Sequence, residues 1–250
     1  MPPFETRPIQ VQYLKAACSS CSVLELCLPL GLSHQEVERL DTLILQRVRV
    51  KKGHTLYRAG DPLSSLYAVR LGFFKTSVLS VDGREQVTGF QMAGEILGLD
   101  AISSNLHACS AFALEDGEVC PIPFAQLEQL SQALPSLQHN LNKILSREIV
   151  RDHSMLLQMG NMNADERLAA FLLNLSQRLS LRGYSSRAFV LRMRREEIGS
   201  YLGLRLETIC RCIAHLRDQG LVIIDGKQVQ ILDLEGLKQR VAGCHNAARE

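Results

Sequence analysis

The sequence predicts an α+β chain in which an antiparallel β sandwich or barrel is followed by one long helix and then by a winged helix-turn-helix. Three observations predict it. Between Val48 and Pro123, short β-branched and aromatic runs alternate with Gly- and Asp-containing turns; from about Pro135 to Met162 the turn residues vanish and apolar residues recur at helical spacing; past Gly160, two short amphipathic segments meet at Gly203 and a hairpin follows.

Composition sets the frame for each element. The 250 residues, 46% of them hydrophobic, are enough for one large or two ordinary domains with a sizeable core. No apolar run approaches the roughly 18 to 20 residues that cross a bilayer, and the N-terminus lacks a basic stretch followed by an apolar leader, so no membrane partner and a cytoplasmic location are expected. That compartment is reducing, which favours metal ligands or free thiols over a disulfide framework for the eight cysteines.

Residues 1–30 form a cysteine-rich segment. Cys18-x2-Cys21-x5-Cys27 lies in a polar, Ser-rich stretch that gives burial no reason to collect three thiols, and Cys120 follows in the run Val119-Cys-Pro-Ile-Pro123. Thiols spaced two to five residues apart converge on one soft metal centre without strain, and sulfur ligands select iron–sulfur clusters or zinc. Cys120 taken alone reads as a small buried hydrophobe, as do Cys109, Cys210, Cys212 and Cys244, which share no spacing.

Residues 31–134 carry the strand signals: Thr55–Tyr57, Leu66–Val69, Gly72–Val78, Gln86–Phe90 and Ser110–Leu114, with turns at Gly53, Gly60-Asp-Pro62, Asp82-Gly83 and Asp116-Gly117. Asp82-Gly83 reads as a hairpin turn. Residues 135–162 then read as a single helix of roughly 25 residues, on the order of 37 Å. Leu137, Leu141, Leu145, Ile149, Asp152, Leu156 and Met159 follow one another in a heptad-like row, so the helix is expected to pair with its copy in a homodimer. Asp152 on that seam, between Ile149 and Leu156, would set two like carboxylates against apolar attraction and make association conditional.

Residues 163–250 begin with a helix over Ala164–Leu179 and a basic stretch, Arg192–Arg195. Ile198 and Leu202 then mark the inner face of a short helix, Gly203 the turn, and Ile209, Ile213 and Leu216 the inner face of a second helix; Leu221–Ile224, Gly226-Lys227 and Val229–Leu232 form a hairpin wing. Two short helices across a glycine turn leave the outer face of the second free to enter a major groove, with Lys227 of the wing near phosphate, so double-stranded DNA is the expected partner. Residues 160–250 hold 14 basic and 10 acidic side chains against 14 and 16 in residues 1–159, a bias suited to a polyanion. The chain shows no nucleotide-binding Gly-rich loop, no convincing catalytic triad and no His-x-x-x-His spacing, which argues against an enzyme and leaves no catalytic residue to assign. An iron–sulfur electron carrier remains the alternative of a different class, against which the helix-turn-helix stands.

From Cys18 to about Leu237 the chain resembles the oxygen-sensing Fnr branch of the Crp/Fnr superfamily of transcription regulators. The marks are the four-cysteine pattern, Gly60-Asp61, Gln86-Val-Thr-Gly-Phe90, Ala164-Asp-Glu-Arg-Leu-Ala-Ala-Phe171 and Ile198-Gly-x-Tyr-Leu-Gly-Leu204 followed by Glu207-Thr-Ile-Cys-Arg211. The resemblance implies a β-roll of the cyclic-nucleotide-binding, jelly-roll type, and a 4Fe-4S cluster on Cys18, Cys21, Cys27 and Cys120 whose assembly without oxygen favours a DNA-binding dimer. It also implies TTGAT-like palindromic sites read by Glu207, Cys210 and Arg211, and contact with RNA polymerase through the loop Val81–Glu85. Arg211 suits guanine O6 and N7, and Glu207 a cytosine amine. Two departures matter. Leu99 and Cys109 stand where nucleotide-binding relatives carry charged groups, so a cyclic nucleotide is not expected, because its phosphate would lie unpaired. Cys210 stands where the family carries Ser, and a thiol is a poorer hydrogen-bonding group. A zinc or thiol/disulfide version of the same regulator is the nearer alternative.

Overall fold

The computed structural model describes residues 13–15, 17–44, 46–80 and 82–246, in two compact units that meet in sequence at Arg147 and Glu148. Val81, the first residue of the loop assigned to RNA polymerase, and the Cys244 side chain lie outside what is described.

The first unit begins with β1 (Tyr13–Lys15), the cysteine segment and α1 (His34–Asp41), and continues through β2 (Gln46–Val50), β3 (Thr55–Tyr57), β4 (Ser65–Leu71), β5 (Phe73–Leu79), β6 (Glu85–Met92), β7 (Ile96–Leu97), β8 (Ser110–Ala113) and β9 (Gly117–Pro123). These strands build two antiparallel sheets, ordered β1-β2-β9-β4-β7 and β3-β8-β5-β6. The β5–β6 hairpin turns through Asp82-Gly83 as its sequence suggests, with Gly83 at φ 80°. α2 (Phe124–Ala133) and the first part of α3 (Pro135–Asn161) complete the unit.

Strand alternation divides the apolar side chains between two cores. Val48, Val50, Val69 and Val119 of the five-stranded sheet pack with Leu56, Tyr57, Phe74, Ala111 and Ala113 of the other sheet. On the opposite face, Leu66, Ala68, Cys120 and Ile122 pack with Cys18 and Leu28, with Val37 and Leu40 of α1, and with Leu127 and Leu137 of the following helices. That second core exists because the cysteine segment, α1 and the helices cover a sheet face that would otherwise meet water. The strand signals around them conceal α1 and α2 in sequence. α1 nonetheless carries a capping box, in which Ser33 Oγ accepts from the Glu36 amide and Glu36 accepts from the Ser33 amide.

The second unit holds the rest of α3, then α4 (Ala164–Ser180), β10 (Ala188–Val190), α5 (Arg195–Leu202), α6 (Leu206–Asp218), β11 (Val222–Asp225), β12 (Gln228–Ile231) and α7 (Leu234–Asn246). Its sheet is ordered β10-β12-β11, so the wing is the β11–β12 hairpin widened by one strand. α4 is buried along Leu168, Ala169, Leu172 and Leu175. Asp165 near its start pairs with His215 of α6 and Arg240 of α7, fastening three helices through one carboxylate. Among the described residues, no helix is long and apolar enough to cross a membrane.

Candidate metal centre and nucleic-acid interface

Successive tight turns wind the cysteine segment. Cys21 N donates to Cys18 O (2.9 Å), Cys27 N to Leu24 O (3.3 Å) and Leu30 N to Cys27 O (3.1 Å), around a 3-10 turn at Leu24–Leu26. Asp41 at the end of α1 anchors the start of the segment through the Cys18 amide and the Ser19 hydroxyl. Cys120 arrives from β9, where the run with two prolines is a strand. β2 pairs with β9 only over Gly117–Val119, so Pro121 and Pro123 lie on the half of β9 that is paired to β4 alone, where a missing N–H costs no ladder bond.

All four cysteines line one cavity, together with apolar Leu24, Ile44, Ala68 and Ile122 and the cation Arg70. Burial pushes the Cys18 thiol far above the ordinary range, and Cys27, Asp41, Cys120 and Cys21 add to the shift. Burial likewise raises Cys27 to about 12, again with Cys120 and Cys21 contributing. Cys120 is raised by burial while Arg47 and Arg70 oppose it. The four sulfurs therefore feel one another, and as thiolates they need a soft cationic centre to hold them together. Among the described residues, no three Cys, His, Asp or Glu side chains are grouped to hold a metal ion. Four soft sulfur donors around one cavity are the ligand type of zinc and of iron–sulfur clusters alike.

One buried polar residue ties this segment to the long helix. Asn140 of α3, 9% exposed, donates its side-chain amide to Leu28 O (3.2 Å) and Leu30 O (2.7 Å), immediately after Cys27. Nothing in the sequence singled it out; the only signal is an Asn on the row side of an otherwise apolar helix face.

Further along α3, Ile149, Val150, Leu156 and Leu157 are 54 to 66% exposed. At about 100° per residue they form one stripe with His153 and Gly160 at its middle. Ile149 and Leu156 lie in this stripe. Asp152 is exposed but stands on its flank, towards the half-buried Met155 and Met159. The heptad row read from sequence is thus rotated from the exposed stripe, because half of that row packs within its own unit.

In the helix-turn-helix, Gly203 caps α5 in the left-handed region at φ 65°, which favours glycine, and a Cβ on Gly199 would stand 2.7 Å from Leu204 O, so Gly203 is set by conformation and Gly199 by close approach. Ile209, Cys212 and Leu216 are the buried side of α6. Cys212 thus takes the inner position that sequence periodicity gives to Ile213, which is half-buried. On the outer side, Glu207 and Arg211 have side chains 81% and 71% exposed and 3.9 Å apart. Cys210 is half-buried, with its sulfur 3.9 Å from Arg195 Nη1. Lys227 sits exposed in the wing turn and donates to Arg192 O at 3.4 Å.

The segment around Cys109 is closed internally. Asp100 accepts from the Ala108 and Cys109 amides (2.7 and 3.1 Å), and the buried His107 ring stacks on Tyr57 at 3.8 Å. Leu99 begins a 3-10 turn beside them.

Comparison with known proteins bears on both sites. Residues 166–240 match the Crp-like helix-turn-helix domain, and residues 47–133 match the cyclic nucleotide-binding domain. The chain is 50% identical over 226 residues to the transcriptional regulatory protein btr of Bordetella pertussis, covering 90% of this chain and 93% of that one. It is 42% identical over 231 residues to the fumarate and nitrate reduction regulatory protein of Escherichia coli, covering 92% of each. The solved structure of FixK2 from Bradyrhizobium japonicum superposes with a TM-score of 0.71 at 28% identity, over 77% of this chain and 95% of that one.

Proposed function

The chain belongs to the Crp/Fnr family of transcription regulators, and from that premise we propose that it is an oxygen-responsive, cytoplasmic regulator of anaerobic gene expression whose signal is a 4Fe-4S cluster on Cys18, Cys21, Cys27 and Cys120. The carrying observation is that a strand and a separate N-terminal segment bring all four thiols to one buried cavity. When bound, the cluster supplies an oxygen-labile centre; the chain supplies four soft ligands, an apolar enclosure and a link to α3.

That link gives the response a physical route. Cys27 is followed at once by Leu28 and Leu30, whose carbonyls are held by Asn140, and α3 is one helix that carries the exposed Ile149–Leu157 stripe in its second half. Ordering of the cysteine segment shifts α3 towards an arrangement that pairs with a second copy through Ile149 and Leu156, with Asp152 at the margin tempering association. The dimer presents two α6 helices to a TTGAT-like palindrome, with Arg211 and Glu207 reading bases, Cys210 weakening contact at one base and Lys227 touching phosphate. On this reading the loop Val81–Glu85 meets RNA polymerase, and the internal closure at Asp100 and Cys109 leaves no role for a cyclic nucleotide.

The test is the visible spectrum and metal content of protein purified without oxygen. A broad band near roughly 400 nm that bleaches in air, with iron bound, is the expected result for thiolate-ligated iron. A colourless protein containing zinc replaces the cluster with the zinc version of the same regulator.

A further inference from the structure

Cys120 shares its side of the sheet with an unusual amount of positive charge. Val48 of β2 pairs with Val119 of β9, so the next residue beyond that last pair on each strand, Arg47 and Cys120, lies on the same side of the sheet. On the other flank Ala68 of β4 pairs with Cys120, and the β4–β9 register shifts between Val69 and Leu71, around Arg70. Such a shift re-aims the extra side chain, and Arg70 lines the cavity. Both guanidiniums oppose the upward push that burial gives the Cys120 thiol. Yet the Nε–H groups of both Arg47 and Arg70 are buried without a hydrogen-bond partner among the described residues. Arg70 does reach Glu118 Oε2 with Nη1 at 2.9 Å, and Glu118 is shared with Arg49 at 3.3 Å, so the nearby carboxylate is already engaged. A buried donor without an acceptor is costly, and one on each side of the same thiol calls for an acceptor at that place.

We infer that Arg47 and Arg70 are positioning residues of the cysteine site, whose free N–H groups donate to the sulfur atoms of a bound iron–sulfur cluster. The inference rests on the cluster reading proposed above. Four thiolates gather negative charge in an apolar cavity, and one guanidinium in its wall and a second beside Cys120 offset it, while hydrogen bonds to sulfur are among the factors that set a cluster's potential and retention. A lysine in either place keeps the charge but loses the planar fork of donors.

The experiment uses the full chain reconstituted with iron and sulfide without oxygen, in wild type, Arg47→Gln, Arg47→Lys and Arg49→Gln. Iron transfer to a chelator and loss of the visible band are followed anaerobically, and the metal-free proteins are unfolded in urea. Arg47→Gln is expected to weaken iron retention about tenfold, the lower end of what removing an outer partner of a metal ligand does. Arg47→Lys is expected to fall between it and wild type, Arg49→Gln to match wild type, and the metal-free Arg47→Gln to keep its urea midpoint, since its Nε–H has no protein partner to lose. Wild-type iron retention in Arg47→Gln overturns the inference while leaving the cluster reading intact. A loss that tracks a lowered urea midpoint assigns Arg47 a structural role and overturns it as well. A wild type that takes up no iron overturns the cluster reading and this inference with it.

Discussion

The helix-turn-helix and the cysteine cavity differ in how far apart in sequence their parts lie. α5, its glycine turn, α6 and the wing run continuously from Arg195 to Ile231, and their geometry follows from local rules of helix length, capping and turn conformation. The cavity is assembled from a 3-10-turned segment near the N-terminus and from a strand that enters the sheet 93 positions after Cys27. A site built locally stays intact when a distant contact is lost. A site built from distant segments answers to whatever alters their packing, which is what a sensor requires.

The largest effect expected from this contrast is on the side assembled at long range. Cys120→Ser should abolish iron binding by removing the one proposed ligand that lies in the sheet, whereas Cys109→Ser, buried in the other core, should keep it. Iron content after anaerobic reconstitution decides it; a reversed pattern breaks the ligand assignment. Neither substitution should disturb the circular dichroism of the winged unit.

On the local side, Arg211→Ala should cost about 1 to 3 kcal/mol on a TTGAT-like palindrome by losing a two-pronged base contact, while Lys227→Ala weakens all sequences alike and flattens the salt dependence. Isotherms on matched and scrambled duplexes at several salt concentrations separate the two. Equal losses on both duplexes would make Arg211 a phosphate contact.

Asn140→Leu probes the junction between the local and the long-range. It leaves the Leu28 and Leu30 carbonyls without their donor, and should cost about 1 to 2 kcal/mol of stability. The four ligands remain, so iron binding should persist while dimerisation no longer depends on it. Sedimentation of loaded and metal-free protein checks this; unchanged coupling removes Asn140 from the route.

The smallest expected effect is that of Asp152→Ala. On the flank of the apolar stripe instead of its centre, Asp152 should oppose dimerisation by only about 0.2 to 1 kcal/mol, the range of exposed charge interactions. The metal-free mutant should therefore dimerise up to several-fold more tightly than metal-free wild type, in the same sedimentation assay. No difference between them places Asp152 outside the interface.

Periodicity in the sequence was sufficient for an antiparallel β domain, the long helix and the winged unit, because each is dictated by side-chain spacing over a few turns or pleats; the β-roll form came from family resemblance. Cysteine spacing likewise marked three thiols, since Cys18, Cys21 and Cys27 lie on one short segment. Family resemblance, not spacing, tied Cys120 to them. Only the tertiary structure showed that β9 carries its prolines where β2 no longer pairs with it, and that Cys120 thereby faces the same core as Cys18. It likewise decided that Asn140 grips the cysteine segment, that Arg47 and Arg70 flank Cys120, and that Asp152 stands beside the exposed stripe. The physical reason is common to all of these. Hydrophobic periodicity is a property of one element, but the partner of a buried donor, and the side of a helix left bare, depend on which elements pack against it.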